Sequence, residues 1–367
     1  MTRLKYGRMV TVLFVSILRY ALSKTRRNTR MWWIYPVYLI LLCLVVFLSI
    51  KLADLVDLLD KKTNISGAFI GGVLLAAVTS LPELFTSISA VTMVNDPTLV
   101  AGNILGSDIF NLTILAIYSV IFFKHFKTSK IDKWHLVSLL VLLVMYGLTF
   151  YAMFAPKEYQ LMLGSINVIS IVIFVIYVIL LIFQPKENEE KEDVEVKSNL
   201  TLTQIIILFV VLSIVLIGAS IGITYMTDMI SNELPWLSGT VAGAILLGVA
   251  TSLPEVISTF QLFRVRNFDA GFGNMIGSCT FNFLVLSIAD FISWSNWNGD
   301  VITERGIFIA TGDAKQLVIF GLITIVSMIA LLLLKLYTKL FEKKGGFVVS
   351  LLLGLIVLAS YLLVFIL

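Results

Sequence analysis

Two glutamates stand where an apolar chain can least accommodate them. Residues 74–83 (LLAAVTSLPE) recur as residues 246–255 (LLGVATSLPE), identical at seven of ten positions and 172 residues apart. Each copy ends on a Pro-Glu pair inside a long apolar run: Pro82-Glu83 and Pro254-Glu255. A carboxylate at that depth costs a few kcal/mol unless it is paired or functional. Helical spacing adds hydroxyls to each. Thr79 and Thr251 lie four residues before the glutamates and Ser80 and Ser252 three, close enough to share one face. The prolines remove backbone N–H donors and release the carbonyls of Val78 and Ala250, which then need a partner in protein, water or an ion. Every donor in the set is oxygen. Such sets suit Ca²⁺, Na⁺ or Mg²⁺, and not zinc or copper.

A second pair of segments follows. Residues 102–111 (GNILGSDIFN) match residues 273–282 (GNMIGSCTFN) at six of ten positions, now 171 apart. They bring Ser107 with Asn111, and Ser278 with Asn282, each pair four residues apart and so on one helix face. Gly102, Gly106, Gly273 and Gly277 form small-xxx-small spacings that allow helices to approach closely.

The elements that must hold these residues are membrane helices. The chain is 59% hydrophobic and 14% charged, with apolar runs along its whole length. This indicates an all-α polytopic membrane protein, and the runs lack the alternation of a membrane β-barrel. Ten transmembrane helices are expected, over 32–58, 67–94, 98–123, 134–155, 160–183, 202–230, 238–264, 267–293, 315–335 and 346–366. Helices 2 and 7 carry the Pro-Glu pairs and are expected to be broken there. A charged linker at 184–199 separates a first five-helix repeat, 32–183, from a second, 200–367. Five is odd, so the second repeat enters the membrane from the opposite side and the repeats are inverted. Lys61, Lys62, Lys124, Lys127, Lys130, Lys133, Lys186, Lys191, Lys197, Arg264, Arg266, Lys335, Lys339, Lys343 and Lys344 all fall in loops on one side of that plan, which places the linker in the cytoplasm.

The basic N-terminal extension, 1–31, disagrees with this orientation, with Arg3, Lys5, Arg8, Arg19, Lys24, Arg26, Arg27 and Arg30. Three explanations stay open: an extra crossing at Met9–Leu18, an interfacial basic helix, or translation starting at Met31. No clear cleavage site marks it as a signal peptide. Cys43 and Cys279 offer neither a disulfide framework nor metal spacing, and His125 and His135 flank a basic loop and are expected to be solvated.

The two duplicated segments resemble the α-repeats of the calcium/cation antiporter superfamily, and the likeness to prokaryotic sodium/calcium exchangers extends over the ten-helix plan. That resemblance implies that Glu83 and Glu255 are the central carboxylate ligands. It also implies that Thr79, Ser80, Thr251, Ser252, Ser107, Asn111, Ser278 and Asn282 line the cation sites. The activity implied is exchange of Ca²⁺ against Na⁺, K⁺ or H⁺ by alternating access. These ions are substrates, with no cofactor expected. The partners expected are the lipid bilayer and inorganic cations, without nucleic acid or an obligatory protein partner. The location expected is the plasma membrane of a prokaryote. One departure stands out. Prokaryotic members often carry Asp at the position of Asn282. With two central carboxylates instead of three, coupling is expected to be closer to electroneutral. Asp108, three residues before Asn111, could restore the charge, but its counterpart is Cys279 and repeat symmetry does not support it. The competing readings are a proton- or potassium-coupled exchanger and, further off, a cation channel. No Ser/His pair, paired-Asp motif or zinc-ligand helix within the spans points to an enzyme.

Overall fold

Hydrocarbon offers the backbone no hydrogen-bond partner, so long apolar segments must satisfy their own amides and carbonyls as helices. The computed structural model of the chain describes residues 32–62, 79–159, 161–163, 166–184, 200–295, 307–308, 312–338, 341 and 344–366. Residues 1–31, the first half of the second expected helix with Val78, and the 185–199 part of the linker lie outside the described residues. The helices are α1 (Ile34–Lys62), α2 (Leu81–Ser89), α3 (Pro97–Ile121), α4 (Trp134–Phe154), α5 (Val168–Phe183), α6 (Leu202–Glu233), α7 (Gly239–Arg264), α8 (Phe268–Ser295), α9 (Gly312–Tyr337) and α10 (Lys344–Leu363). Among the described residues eight of them, all but α2 and α5, are long and apolar enough to cross a membrane. The protein is therefore an integral membrane protein, helical throughout apart from one two-residue hairpin among the described residues.

Helix α3 lies at the centre and packs against α7, α8, α9 and α10. Helices α1 and α6 pack mainly on each other at the periphery. Their outer faces (Leu39, Ile40 and Phe47; Ile206, Ile207, Val210, Val211 and Ile214) are exposed, an apolar surface suited to lipid. The crossing of α3 over α7 is a backbone-to-backbone contact. A Cβ added to Gly102 would run into the Thr240 carbonyl, and one on Gly106 into Ala244. From the other side, a Cβ on Gly248 would sit 2.9 Å from the Ser107 amide nitrogen. The expected close approach holds for Gly102 and Gly106. Gly277 has nothing within 4 Å among the described residues.

Three expectations need correction. The fifth helix was expected from residue 160, but α5 starts at Val168. Residues Lys157–Tyr159 form a 3-10 turn, and Met162–Leu163 pairs antiparallel with Ile166–Asn167. The cause is a cap: the Asn167 side chain accepts from the Ile169 amide at 3.0 Å. Buried Asp290 of α8 then accepts from the Asn167 amide at 3.1 Å and from Ser170 Oγ at 2.6 Å, pinning that helix start. Second, α7 is not broken at Pro254, which lies inside the continuous α-helical stretch Gly248–Arg264. Its pitch changes upstream, in a π turn at Gly243–Leu247, where α3 comes closest. In the first copy Ser80 leaves helical geometry (φ −93°, ψ 11°), and Pro82 falls in the first turn of α2, where a missing N–H costs nothing. Third, the His135 side chain is mostly buried, 12% exposed, and pairs with Asp269 at 3.0 Å, so it is not a freely solvated residue.

The copies differ by one residue, and the structure shows where it goes. Ala90 and Leu262 are 172 apart, whereas Asn95 and Arg266 are 171 apart. The extra residue is absorbed in a π turn, Ala90–Val94, at the end of α2. A π turn is the usual way a helix takes up a single insertion. Beyond it both copies close alike. Asn95 (φ 62°) and Arg266 (φ 66°) are left-handed, and the next amides, Asp96 and Asn267, donate back to Ala90 and Leu262 at 2.9 Å in each case.

Because α3 and α7 touch through backbone, a single methyl is decisive there. Gly106→Ala is expected to destabilise the protein by about 1–3 kcal/mol, as overpacking of a tight core does. Gly147→Ala, with nothing within 4 Å, is expected to leave stability nearly unchanged. Thermal melting of the two purified variants in detergent checks this; equal midpoints would refute the close-contact reading.

Candidate functional site: a buried carboxylate centre

The start of α2 and the middle of α7 bring the two Pro-Glu pairs together, with α3 and α8 crossing behind them. Glu83 and Glu255 are both fully buried. Their hydroxyl partners are exchanged between the copies. Ser80 Oγ donates to Glu255 Oε1 at 3.1 Å, and Ser252 Oγ donates to Glu83 Oε1 at 3.3 Å. The sequence reading put each serine on the face of its own glutamate. Both reach across instead, Ser80 from the turn ahead of α2 and Ser252 from within α7. Ser278 Oγ adds a second hydrogen bond to Glu255 Oε1 at 3.3 Å and lies 2.8 Å from Ser80 Oγ.

The other expected residues divide. Thr79 and Ala250 are buried. Thr251 Oγ1 donates to its own helix at Leu247 O (2.9 Å), with Asn103 Oδ1 at 3.4 Å. Ser107 is tied to α7, donating to Gly248 O at 3.2 Å. Asn111 is fully buried, with neither amide atom hydrogen-bonded among the described residues. Asn282 donates through Nδ2 to Asp108 Oδ1 at 2.8 Å. Asp108 thus joins the centre as a third fully buried carboxylate.

Two residues of the centre escaped the sequence reading although both copies carry them in the Gly-Asn pair. Asn103 Nδ2 reaches Thr86 Oγ1 and Ser87 Oγ, both at 3.1 Å, and Glu83 O at 3.5 Å. Its counterpart Asn274 reaches Ser258 Oγ at 3.0 Å, Thr259 Oγ1 at 2.8 Å and Glu255 O at 3.4 Å. Each asparagine therefore clamps the turn after one glutamate. Their signal was available as identity between copies.

Electrostatically the centre is one-sided. Glu83 Oε2, Glu255 Oε2, Asp108 Oδ2 and Asn282 Oδ1 have no hydrogen-bond partner among the described residues. No Lys, Arg or His is among the buried polar residues described. Buried carboxylates without a countercharge are strongly unfavourable until a cation or proton arrives. Among the described residues no three His, Cys, Asp or Glu side chains converge on one point. Hydroxyl, amide and carbonyl oxygens must therefore complete any coordination, as hard cations accept.

The sequence profile of the family described as Sodium/calcium exchanger protein matches residues 8–184 and 204–367. No curated protein matches the chain by sequence search. Among solved structures, an H⁺/Ca²⁺ exchanger, CAX, is similar with a TM-score of 0.61 at 15% identity, covering 99% of this chain and 95% of its own. YfkE has a TM-score of 0.61 at 15% identity, covering 90% of this chain and 92% of its own. The sodium-calcium exchanger NCX_Mj, soaked with Na⁺ and Sr²⁺, has a TM-score of 0.52 at 19% identity, covering 89% and 98%. At such identities the likeness is one of fold. With the family profile spanning nearly the whole sequence, the chain belongs to the sodium/calcium exchanger protein family, a family of membrane antiporters.

Proposed function

We propose that the chain exchanges Ca²⁺ against Na⁺ by alternating access at the centre built on Glu83 and Glu255. The observation that carries this reading is the pair of crossed hydrogen bonds, Ser80 to Glu255 and Ser252 to Glu83, at matched positions of the two copies. They join both copies into one oxygen-lined site whose carboxylates keep an unpartnered oxygen each. In this reading the molecule is ten transmembrane helices in two inverted five-helix repeats, 32–183 and 200–367. The linker is cytoplasmic and the membrane is the plasma membrane of a prokaryote. The matched helix closures at Asn95 and Arg266 support the two-fold relation.

The competing cations bind at overlapping positions on the two glutamates. Either ion neutralises the carboxylates and lets the occupied carrier switch sides. The empty, doubly charged carrier crosses poorly, so exchange is obligatory. Helices α1 and α6 are the moving layer. They pack chiefly on each other, and among the described residues the hydrogen bonds that join them to the site helices include Tyr38 to Leu246 O at 2.8 Å, Thr224 to Thr86 O at 3.5 Å and Tyr225 to Met93 O at 3.3 Å. A proton-coupled exchanger is the second reading, favoured by the same unpartnered glutamate oxygens, each of which can carry H⁺.

The test is ⁴⁵Ca²⁺ uptake into proteoliposomes loaded with Na⁺ or with K⁺ at clamped pH. Uptake is expected only with internal Na⁺, and Glu83→Gln or Glu255→Gln is expected to lower it to about one hundredth, since affinity tracks the number of charged ligands. Uptake indifferent to Na⁺ but driven by an imposed pH gradient establishes the proton-coupled reading instead. A second expectation concerns the clamps. Asn103→Ala and Asn274→Ala are expected to weaken Ca²⁺ affinity by about 10–100-fold each, the usual effect of removing a group that orients ligands. Equal apparent affinities in a Ca²⁺ titration of the uptake rate would remove both asparagines from the site.

A further inference from the structure

The expectation of near-electroneutral coupling counted two carboxylates, but the structure buries three. Asp108 of α3 is fully buried; the Asn282 amide of α8 donates through Nδ2 to its Oδ1 at 2.8 Å, and the Tyr146 hydroxyl and the Cys279 thiol also face its carboxylate. Only Nδ2 of that amide can donate to a carboxylate, so the pairing fixes its orientation and turns Asn282 Oδ1 elsewhere. Three oxygens are then buried without a hydrogen bond among the described residues: Asp108 Oδ2, Asn282 Oδ1 and Asn111 Oδ1. A structural aspartate in the same helical core looks different. Asp290 takes hydrogen bonds from a backbone amide and a serine hydroxyl. Cys279, the counterpart of Asp108, lies against it, with Sγ 3.9 Å from Asp108 O.

Resting on the exchanger reading, we propose that Asp108 is the third negative charge of the transport site. With the amide oxygens of Asn282 and Asn111 it forms an alkali-cation subsite beside the glutamate pair, and this makes exchange electrogenic. One carboxylate and neutral oxygens match a monovalent ion, whereas Ca²⁺ needs six to eight oxygens and more charge. Among the described residues the three carboxylates form no single cluster that could hold one metal ion, and in this proposal the third charge serves a neighbouring ion. The missing symmetry is thereby explained. The charge absent at Asn282 in the second copy is supplied from the first copy by the residue hydrogen-bonded to it.

The experiment pairs equilibrium ²²Na⁺ binding to the purified protein with charge movement in voltage-clamped proteoliposomes, for wild type, Asp108→Asn and the swapped Asp108→Asn/Asn282→Asp. Wild type is expected to move about one net positive charge per Ca²⁺, the surplus of three monovalent charges over one divalent ion at a three-carboxylate site. Asp108→Asn is expected to lower Na⁺-driven ⁴⁵Ca²⁺ uptake, lose the current carried per Ca²⁺ and lose one Na⁺ from binding, and the swap is expected to restore all three. The proposal is overturned if Asp108→Asn retains current per Ca²⁺ and bound Na⁺, or if the swap behaves as the single variant. Should Asp108→Asn fail to fold, Asn282→Ala decides. It keeps the charge, and Na⁺ affinity is expected to fall about tenfold, as when a neutral supporting group is removed; an unchanged affinity overturns the subsite. Na⁺ binding that depends on Asp108 in a protein with no Na⁺-driven Ca²⁺ flux keeps this inference and overturns the exchanger reading.

Discussion

Burying carboxylates in a hydrocarbon-bounded core without a basic partner is the constraint on which the rest of this structure depends. Glu83, Glu255 and Asp108 are fully buried, and no lysine, arginine or histidine among the described residues is buried with them. Serine hydroxyls and asparagine amides blunt part of the cost, but Glu83 Oε2 and Glu255 Oε2 have no hydrogen-bond partner among the described residues. Such a centre is stable only while its surroundings hold it shut and a cation or proton supplies the missing charge. The fold meets the first need through glycine contacts between α3 and α7, which leave no room even for a methyl group. The second need is what a transported ion satisfies, and it links the stability of the occupied state to the proposed exchange.

The duplication gives this centre its economy. Each copy brings one glutamate and one serine. Two copies, facing each other, let each serine serve the other copy's glutamate. The asparagine clamps repeat the logic with the same donor atom, two hydroxyls and one carbonyl in each copy. Even the one-residue difference between copies is confined to a π turn that leaves the closing hydrogen bonds unchanged. Where the copies diverge, at Asp108 and Cys279, the two positions still touch across the α3–α8 crossing.

The peripheral layer obeys a different rule. Helices α1 and α6 carry apolar side chains on both sides, so they gain little more by facing protein than by facing lipid tails. Tyr38, Thr224 and Tyr225 hydrogen-bond them to the core, and the proposed exchange has this layer slide. The core helices α3 and α8, by contrast, are held by backbone contacts and buried polar side chains that a slide would break.

What the sequence determined by itself was whatever depends on near neighbours or on identity between copies. The helical membrane class follows from apolar runs long enough to cross hydrocarbon, and the two glutamates, with their prolines and hydroxyls, announce themselves by repetition. Helix starts set by a distant partner were beyond its reach. Nothing local near residue 160 says that Asp290 will hold Asn167 and begin α5 at Val168. Spacing along one helix placed Ser80 beside Glu83, because an i,i+3 rule knows only its own helix; tertiary packing gave it to Glu255. The pairing of Asp108 with Asn282 is 174 residues distant in sequence and breaks the repeat, so no periodicity could have indicated it. Local physics decided which residues enter the membrane, and the crossing of α3, α7 and α8 decided which of their oxygens meet.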